Sequence, residues 1–503
     1  MVNSPDDTHV LQKLPTGIPG YDELAHGGLP KGRTTVLGGT AGSGKTIFAV
    51  QFLVEGIKRH NEGGVFVTFE ESPEDIRKNV MGFGWDVAAW EKAGRWAFVD
   101  ASPQPGDEAV VSGKFDLTAL VTRVEHAAKK IGAQRVSVDS LGALFTRLKD
   151  DALLRHEMFQ LSSALKARGL TTVMTAERTG EYGEISRFGI EEFVADNVTI
   201  LRNVLSEEKR RRTIEILKYR GSNHQEGETP FTVLPERGIV ALPLSTMQLK
   251  QKSSAVRVTS GNPELDAMCG GGFFRDSIIL LSGATGTGKT LVTTQFLEGG
   301  AKKGERVLLF AFEESRDQLF RNATGWGTDY ERMEKEGKLK VFCEYPEVMS
   351  LESHLLRMKD LIEEFKPNRI AVDSLSALER VGGVKGFREF VISLTSYIKH
   401  TETVGLFTAT TPTLVGGTSV TEAHISTLTD SIILLRYVEL RGEMHRGLMV
   451  LKMRGSPHNK SICEFTIDGT GMHIGEPFRD VGGILAGNVR QLRPGESADQ
   501  DGL

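Results

Sequence analysis

Gly39-Thr40-Ala41-Gly42-Ser43-Gly44-Lys45-Thr46 recurs downstream as Gly283-Ala284-Thr285-Gly286-Thr287-Gly288-Lys289-Thr290. Both stretches follow the pattern G-x-x-x-x-G-K-[ST], in which glycines let backbone N–H groups curl around the β- and γ-phosphates of a nucleotide. The lysine adds a point charge on those phosphates, and the threonine hydroxyl ligates Mg²⁺. One match is within reach of chance in a chain with 56 glycines. Two matches inside a longer shared frame are not.

The shared frame is long. Thr16-Gly-Ile-Pro-Gly-Tyr-Asp22 corresponds to Ser260-Gly-Asn-Pro-Glu-Leu-Asp266, and Val65-Phe-Val-Thr-Phe-Glu70-Glu71 to Leu308-Leu-Phe-Ala-Phe-Glu313-Glu314. Arg135-Val-Ser-Val-Asp139-Ser-Leu corresponds to Arg369-Ile-Ala-Val-Asp373-Ser-Leu, and Lys218-Tyr-Arg220-Gly-Ser-Asn-His224 to Lys452-Met-Arg454-Gly-Ser-Pro-His458. The chain therefore reads as a tandem duplication. We place the domains at 1–245 and 256–485, with a short flexible tail at 486–503.

Short apolar runs alternate with longer amphipathic ones. Thr34–Leu37, Val65–Phe69, Trp96–Val99, Val136–Val138, Thr171–Thr175 and Val198–Leu201 read as buried parallel strands. Thr46–Arg59 and Arg155–Arg168 have helical spacing. The expected fold class is α/β: two tandem P-loop NTPase domains, each a mostly parallel sheet flanked by helices, with ligands at the carboxyl edge.

Bulk composition narrows the class. The 503 residues are 39% hydrophobic and 25% charged, with a formal net charge of −5. No apolar run is long enough to span a membrane, and the start lacks the basic-then-apolar order of a signal peptide. The three cysteines, Cys269, Cys343 and Cys463, lack metal-ligand spacing and read as reduced core thiols of a cytoplasmic protein.

Asp139 and Asp373 end apolar strands and are placed to hold Mg²⁺ through water beside the loops, although a strand-terminal Asp is also a common turn residue. Glu70-Glu71 and Glu313-Glu314 are read as the ends of the second strands. Alternation would then turn only one of each pair toward the γ-phosphate, where a carboxylate polarises a water or hydroxyl. A solvated strand end is the plainer reading. Lys218, Arg220 and His224, with Lys452, Arg454 and His458, are read as hairpins reaching a neighbouring subunit's nucleotide in a ring, or else as basic surface hairpins. The copies differ at Ser426-Thr427, where the first has Glu192-Phe193. Adjacent hydroxyls suit phosphoacceptors but also turns and caps.

The double phosphate loop, the twin Glu-Glu and Lys-x-Arg-Gly motifs and His424-Ile-Ser426-Thr427 together resemble the KaiC family of RecA-like circadian-clock ATPases and autokinases. The resemblance covers about residues 14–487 and includes Cys269-Gly-Gly-Gly-Phe-Phe and Arg441-Gly-Glu-Met. It implies a two-tiered homohexamer binding ATP and Mg²⁺ between subunits. The first tier would hydrolyse ATP slowly; the second would phosphorylate and dephosphorylate its own Ser426 and Thr427, with Thr421 an accessory hydroxyl. Glu313 would be the base and a Mg²⁺ ligand beside Thr290 and Asp373, with Glu314 supporting it. Glu70 and Glu71 would activate water beside Thr46 and Asp139.

By the same match, ATP in the first tier would touch Thr40, Gly42, Ser43, Gly44, Lys45, Thr46 and Ile47, and Lys218, Tyr219, Arg220, Ser222 and His224. In the second it would touch Thr285, Gly286, Thr287, Gly288, Lys289, Thr290 and Leu291, then Trp326, Arg446, Lys452, Met453, Arg454, Ser456 and His458. The resemblance implies KaiB as a partner. Residues 491–503 look too short and acidic to capture KaiA, so unaided phosphorylation is the expectation. Gly82, Tyr219 and Pro457 depart from the cyanobacterial pattern, and Val110–Asp116 carries an extra residue in the loop region linked to KaiB.

Two other classes share the fold. A RecA- or DnaB-like nucleic-acid motor would line its pore with basic loops. Lys209–Arg212 is such a run, but KaiC-like proteins have it too, and the charge balance speaks against a nucleic-acid partner. A recombinase-like filament would carry no phosphate on its Ser-Thr pair.

Overall fold

The computed structural model describes residues 11–102, 117–142, 151–183, 194–206, 209–243, 253–411, 425–479, 481–485 and 490–491. The chain divides into two compact units, Met1–Thr246 and Met247–Leu503.

In the first unit a nine-stranded sheet runs in the order Gly238–Ala241, Thr229–Leu234, Lys209–Tyr219, Asn197–Ser206, Thr34–Gly39, Thr171–Glu177, Ala133–Asp139, Gly63–Thr68, Trp96–Asp100. The last six are mutually parallel. They are the six strands expected from the apolar runs. Thr34–Gly39 and Gly63–Thr68 are buried along their whole length, because helices cover both sheet faces. Helix Lys45–His60 supplies one cover, burying Phe48, Phe52, Leu53 and Val54. Its last turn carries Lys58, Arg59 and His60, which complement the carbonyl end of the helix dipole.

The second unit repeats the arrangement around the central strand Ile278–Gly283, which is flanked by Val404–Thr410 and Ser431–Leu440. What periodicity did not reveal is the antiparallel extension of each sheet. Lys209–Tyr219 pairs back along Asn197–Ser206, and Glu443–Met453 pairs back along Ser431–Leu440. The Lys-x-Arg-Gly motifs straddle the strand ends, with Arg220-Gly221 and Arg454-Gly455 in the turns that lead to the next antiparallel strands. Lys218 and Lys452 lie in strands, and Arg220 and Arg454 are the next residue but one.

Each core is pinned by one buried arginine. Arg369 donates to Glu305 at 2.5 Å, to the Thr259 carbonyl at 2.6 Å and to the Phe296 carbonyl at 3.0 Å. Arg135 does the same with Glu62 and the Pro15 and Phe52 carbonyls, at 2.6, 2.9 and 3.1 Å. Glycine sits mid-helix at Gly56 and Gly300 because a Cβ there would collide with these guanidinium groups. Removing one partner of such a buried pair costs about 3–5 kcal/mol. Arg369→Ala is accordingly expected to lower the thermal unfolding midpoint of the protein markedly, whereas Lys302→Ala, on an exposed helical pair, should leave it within experimental error.

Candidate functional site: two phosphate loops and the opposite sheet edge

Each loop leaves its central strand at the carboxyl edge and runs directly into a helix. Gly44 and Gly288 precede those helices with φ of 100° and 107°, a left-handed conformation that glycine adopts freely. A Cβ on Gly39 would lie 2.7 Å from the Leu201 carbonyl, and one on Gly283 2.7 Å from the Leu435 carbonyl. These strand ends must be glycine to pack the loop against its neighbour. The free N–H groups at the helix start and the dipole behind them form an anion-binding pocket.

Lys45 folds across its loop onto the Gly39 and Thr40 carbonyls at 3.0 and 2.9 Å, and Lys289 onto Gly283 and Ala284 at 2.9 and 3.0 Å. Burial lowers the pKa of both lysines, against the pull of nearby carboxylates. Ile47 and Leu291 turn into their cores, so only their backbones face the loop. Thr287 turns its hydroxyl to the Ala284 carbonyl at 2.8 Å, and Ser43 is fully buried. Thr285 lines the cavity beside the second loop.

Four of the five expected magnesium ligands meet in pairs. Thr46 donates to Asp139 at 2.7 Å and Thr290 to Asp373 at 2.9 Å. The second carboxylate oxygens are held by Thr175 and, at 2.5 Å, by Thr408. A hydroxyl and a fixed carboxylate beside a phosphate pocket are the donor set that a hydrated Mg²⁺ takes. The residues present fit the ion.

The glutamate pairs lie elsewhere than expected in one respect. The strands end at Thr68 and Ala311, so Glu70-Glu71 and Glu313-Glu314 sit in the bends beyond them. Strand alternation therefore does not set which carboxylate faces the loop; individual hydrogen bonds do. Ser140 donates to Glu70 at 2.8 Å and Asn79 to Glu71 at 3.0 Å. Arg380 lies 3.3 Å from Glu313, and Asn322 donates to Glu314 at 2.9 Å. Burial, reinforced by Asp373, raises the pKa of Glu314 above the usual carboxylate range. Glu313 lines a cavity of about 490 Å³ with Thr285, Arg380, Phe387, Thr410 and Ile425.

The remaining candidates divide by sheet edge. Arg446 stands opposite Tyr437, two residues past the Leu435 that flanks Gly283, and so lies at the loop's own edge. Trp326 ends the helix Arg316–Gly325 and packs on the second core. Met453, by contrast, pairs with Ser431, which pairs with Ile279 at the amino end of the central strand. Four strand residues, about 13 Å at about 3.3 Å each, separate that level from Gly283. Lys452 and Arg454 thus belong to the edge facing away from their own phosphate loop. Lys218 and Arg220 occupy the same place in the first unit. Both strands carry a bulge just before the lysine, at Leu217 and Leu451, where one residue is skipped in the register. A bulge re-aims the side chains that follow it.

Ser426 and Thr427 lie with that opposite edge. They form a short 3₁₀ turn, Ile425–Thr427. Lys452 donates to the Ser426 carbonyl at 2.9 Å and to that of Thr429 at 2.7 Å, and Arg454 donates to the Thr427 carbonyl at 2.9 Å. Thr427 is exposed, while Ile425 is buried against the cavity that Glu313 lines. Thr421, Glu192 and Phe193 fall outside the described residues.

Some candidates are core residues by side chain. Met453 is buried, and Tyr219 donates its hydroxyl to the Gly28 carbonyl at 2.8 Å. Contacts from these two would come from the backbone. Ser456 accepts from Arg257 at 2.5 Å, Ser222 donates to the Asn223 carbonyl at 2.9 Å, and His224 pairs with the Gln225 carbonyl at 3.0 Å. His458 is half-buried.

The family model described as ATPase: KaiC matches this chain twice, over residues 14–246 and 258–478. The chain belongs to the KaiC ATPase family. It is 65% identical over 497 residues to the circadian clock protein KaiC3 of Synechocystis sp., covering 99% of this chain and 98% of that protein. It is 53% identical over 489 residues to the circadian clock oscillator protein KaiC of Thermosynechococcus vestitus, covering 97% and 94%. To the Synechococcus elongatus protein of the same name it is 52% identical over 497 residues, covering 99% and 95%. Membership carries nucleotide binding with it, in agreement with the two loops. Among the described residues no helix is long and apolar enough to cross a membrane.

Sequence reading missed residues that touch the first loop, one from a distant strand and one from the bend beyond another. Asn203 donates to the Gly42 carbonyl at 3.3 Å, and Glu181 accepts from the Thr40 hydroxyl at 2.6 Å. Neither belongs to a repeated motif, so internal comparison held no signal for them.

Proposed function

We propose that the protein is an ATP-dependent Ser/Thr autokinase, autophosphatase and slow ATPase that forms the core of a circadian or timer-type clock. Its two domains would build a two-tiered homohexamer in the cytoplasm, regulated by KaiB. The observation that carries this reading is the bonding of Lys452 and Arg454 to the Ser426 and Thr427 carbonyls, on the sheet edge away from the chain's own loop. Such an edge suits a head-to-tail ring, in which one subunit presents basic groups and hydroxyls to the nucleotide of the next.

In that arrangement the residues take distinct tasks. Lys289 and the N–H groups at the start of its helix hold the phosphates. Thr290, Asp373 and Glu313 would hold Mg²⁺, which supplies charge neutralisation on the phosphate oxygens. Glu313, supported by Glu314, accepts the proton from the hydroxyl of Ser426 or Thr427 as its oxygen attacks the γ-phosphorus of ATP, whose bond to the β-phosphate oxygen breaks so that ADP leaves. Arg454 stabilises the charge that develops on the transferred group. In the first domain Glu70 and Glu71 orient water instead, because no hydroxyl pair matches Ser426-Thr427 in its sequence. We retain the expectation that phosphorylation needs no KaiA.

Intact mass after incubation with Mg-ATP, with and without added KaiA, is the decisive measurement. Added phosphate on the second domain, mapped to Ser426 and Thr427, is the expected result. Native mass in ATP should give a hexamer. An unmodified mass, or a monomer in ATP, would reject the reading.

A further inference from the structure

The first phosphate loop carries an attachment beyond its neighbouring strand, at positions whose counterparts in the second unit, 412–424, lie outside the described residues. Beyond strand Thr171–Glu177 the chain turns over the loop, with the Arg178 N–H on the Gly39 carbonyl at 3.1 Å. Glu181 then fastens it. One carboxylate oxygen accepts from the Thr40 hydroxyl at 2.6 Å, and the other accepts from the Asn203 N–H at 3.0 Å. The Glu181 carbonyl accepts from Arg178 and Arg202 at 3.0 and 3.1 Å. Arg202 is itself paired with Glu215 at 2.6 Å. Both donors to the Glu181 carboxylate are neutral, and the nearby Arg178 guanidinium offsets its charge in part.

Among the described residues, the strands beside the two loops differ at matching positions. Glu177 lies beside Gly39 where Thr410 lies beside Gly283. Asn203, two residues past Leu201, has Tyr437 as its counterpart, two past Leu435. Glu177, Asp139, Glu70 and Glu181 act on Lys45, and, among the described residues, Asp373 and Glu313 act on Lys289.

We propose that Glu181 is a positioning residue of the first nucleotide site, which holds Thr40 in place and sets a negative charge against the nucleotide phosphates, so that ADP is released faster there. This deepens the proposed ATPase reading and rests on it. A unit charge next to the phosphate pocket acts on an anionic ligand through an effective dielectric near 20, enough to change affinity by about ten-fold. Glutamine can keep both contacts while removing the charge, its oxygen accepting from the Asn203 N–H and its NH2 donating to the Thr40 hydroxyl oxygen.

The test uses full-length protein carrying Lys289→Ala, so that the first site reports, with fluorescent mant-ADP and Mg²⁺ as probe. Glu181→Gln is expected to lower both Kd and the dissociation rate by about ten-fold, while Glu181→Asp, which keeps the charge, stays near the parent. An unchanged or weaker affinity in Glu181→Gln, with an unaltered thermal unfolding curve, overturns the proposal. A parent protein that does not bind mant-ADP, or binds it equally well after Lys45→Ala, overturns the nucleotide-site reading itself and the proposal with it.

Discussion

Arg454→Ala is expected to lower phosphate incorporation at Ser426 and Thr427 by on the order of 10³-fold, the scale of an arginine that stabilises phosphoryl transfer. Arg454 is 55% exposed by side chain and follows directly on the strand end whose level is about 13 Å from Gly283. Its guanidinium reaches the Thr427 carbonyl on its own chain, which leaves N–H donors for a nucleotide brought up by a neighbour. Loss of the local tie alone would disturb one exposed turn and cost far less. Mixing settles which chain supplies what. A Lys289→Ala chain, deficient in its own second loop, is expected to become phosphorylated when mixed with a Ser426→Ala/Thr427→Ala chain in Mg-ATP, although neither is labelled alone. Phosphate on Arg454→Ala at the parent rate, in a ring of unchanged native mass, would remove Arg454 from the transfer step.

The second large effect concerns the carboxylates. Glu313→Gln with Glu314→Gln should slow phosphorylation by about 10²–10⁴-fold, the range for a general base acting on a hydroxyl, and spare most ATP hydrolysis. Glu70→Gln with Glu71→Gln should do the reverse. The raised basicity of Glu314 supports its partnership with Glu313, and amide replacement removes proton acceptance while preserving size. Phosphate release and radiolabel incorporation, measured on the parent and both double variants, separate the two activities. Equal loss of both in either variant would mean that the tiers do not divide the work.

The duplication, the six parallel strands of the first domain and the two phosphate loops were legible because each is a local pattern. A buried parallel strand reads as an apolar run, and a loop that cradles phosphate needs glycines at set intervals. Asp139 and Asp373 could be placed by their position at strand ends, and both do meet the loop threonines. Other features were decided only by tertiary pairing. The bend after Thr68 and Ala311 took the glutamates out of strand alternation, and no period in the sequence marks where a strand stops pairing. The antiparallel strands Lys209–Tyr219 and Glu443–Met453, dense in charge at one end, carry too mixed a pattern to declare their partners. Yet their register is what carries Lys452 and Arg454 to the far edge of the sheet, beside Ser426 and Thr427. By itself the sequence determined that this chain has two nucleotide loops of one kind. Which residues stand around each loop, Glu181 and Asn203 at the first and Tyr437 at the second, was decided by strands that meet across more than a hundred positions, because hydrogen bonding between distant strands depends on how the whole sheet is ordered.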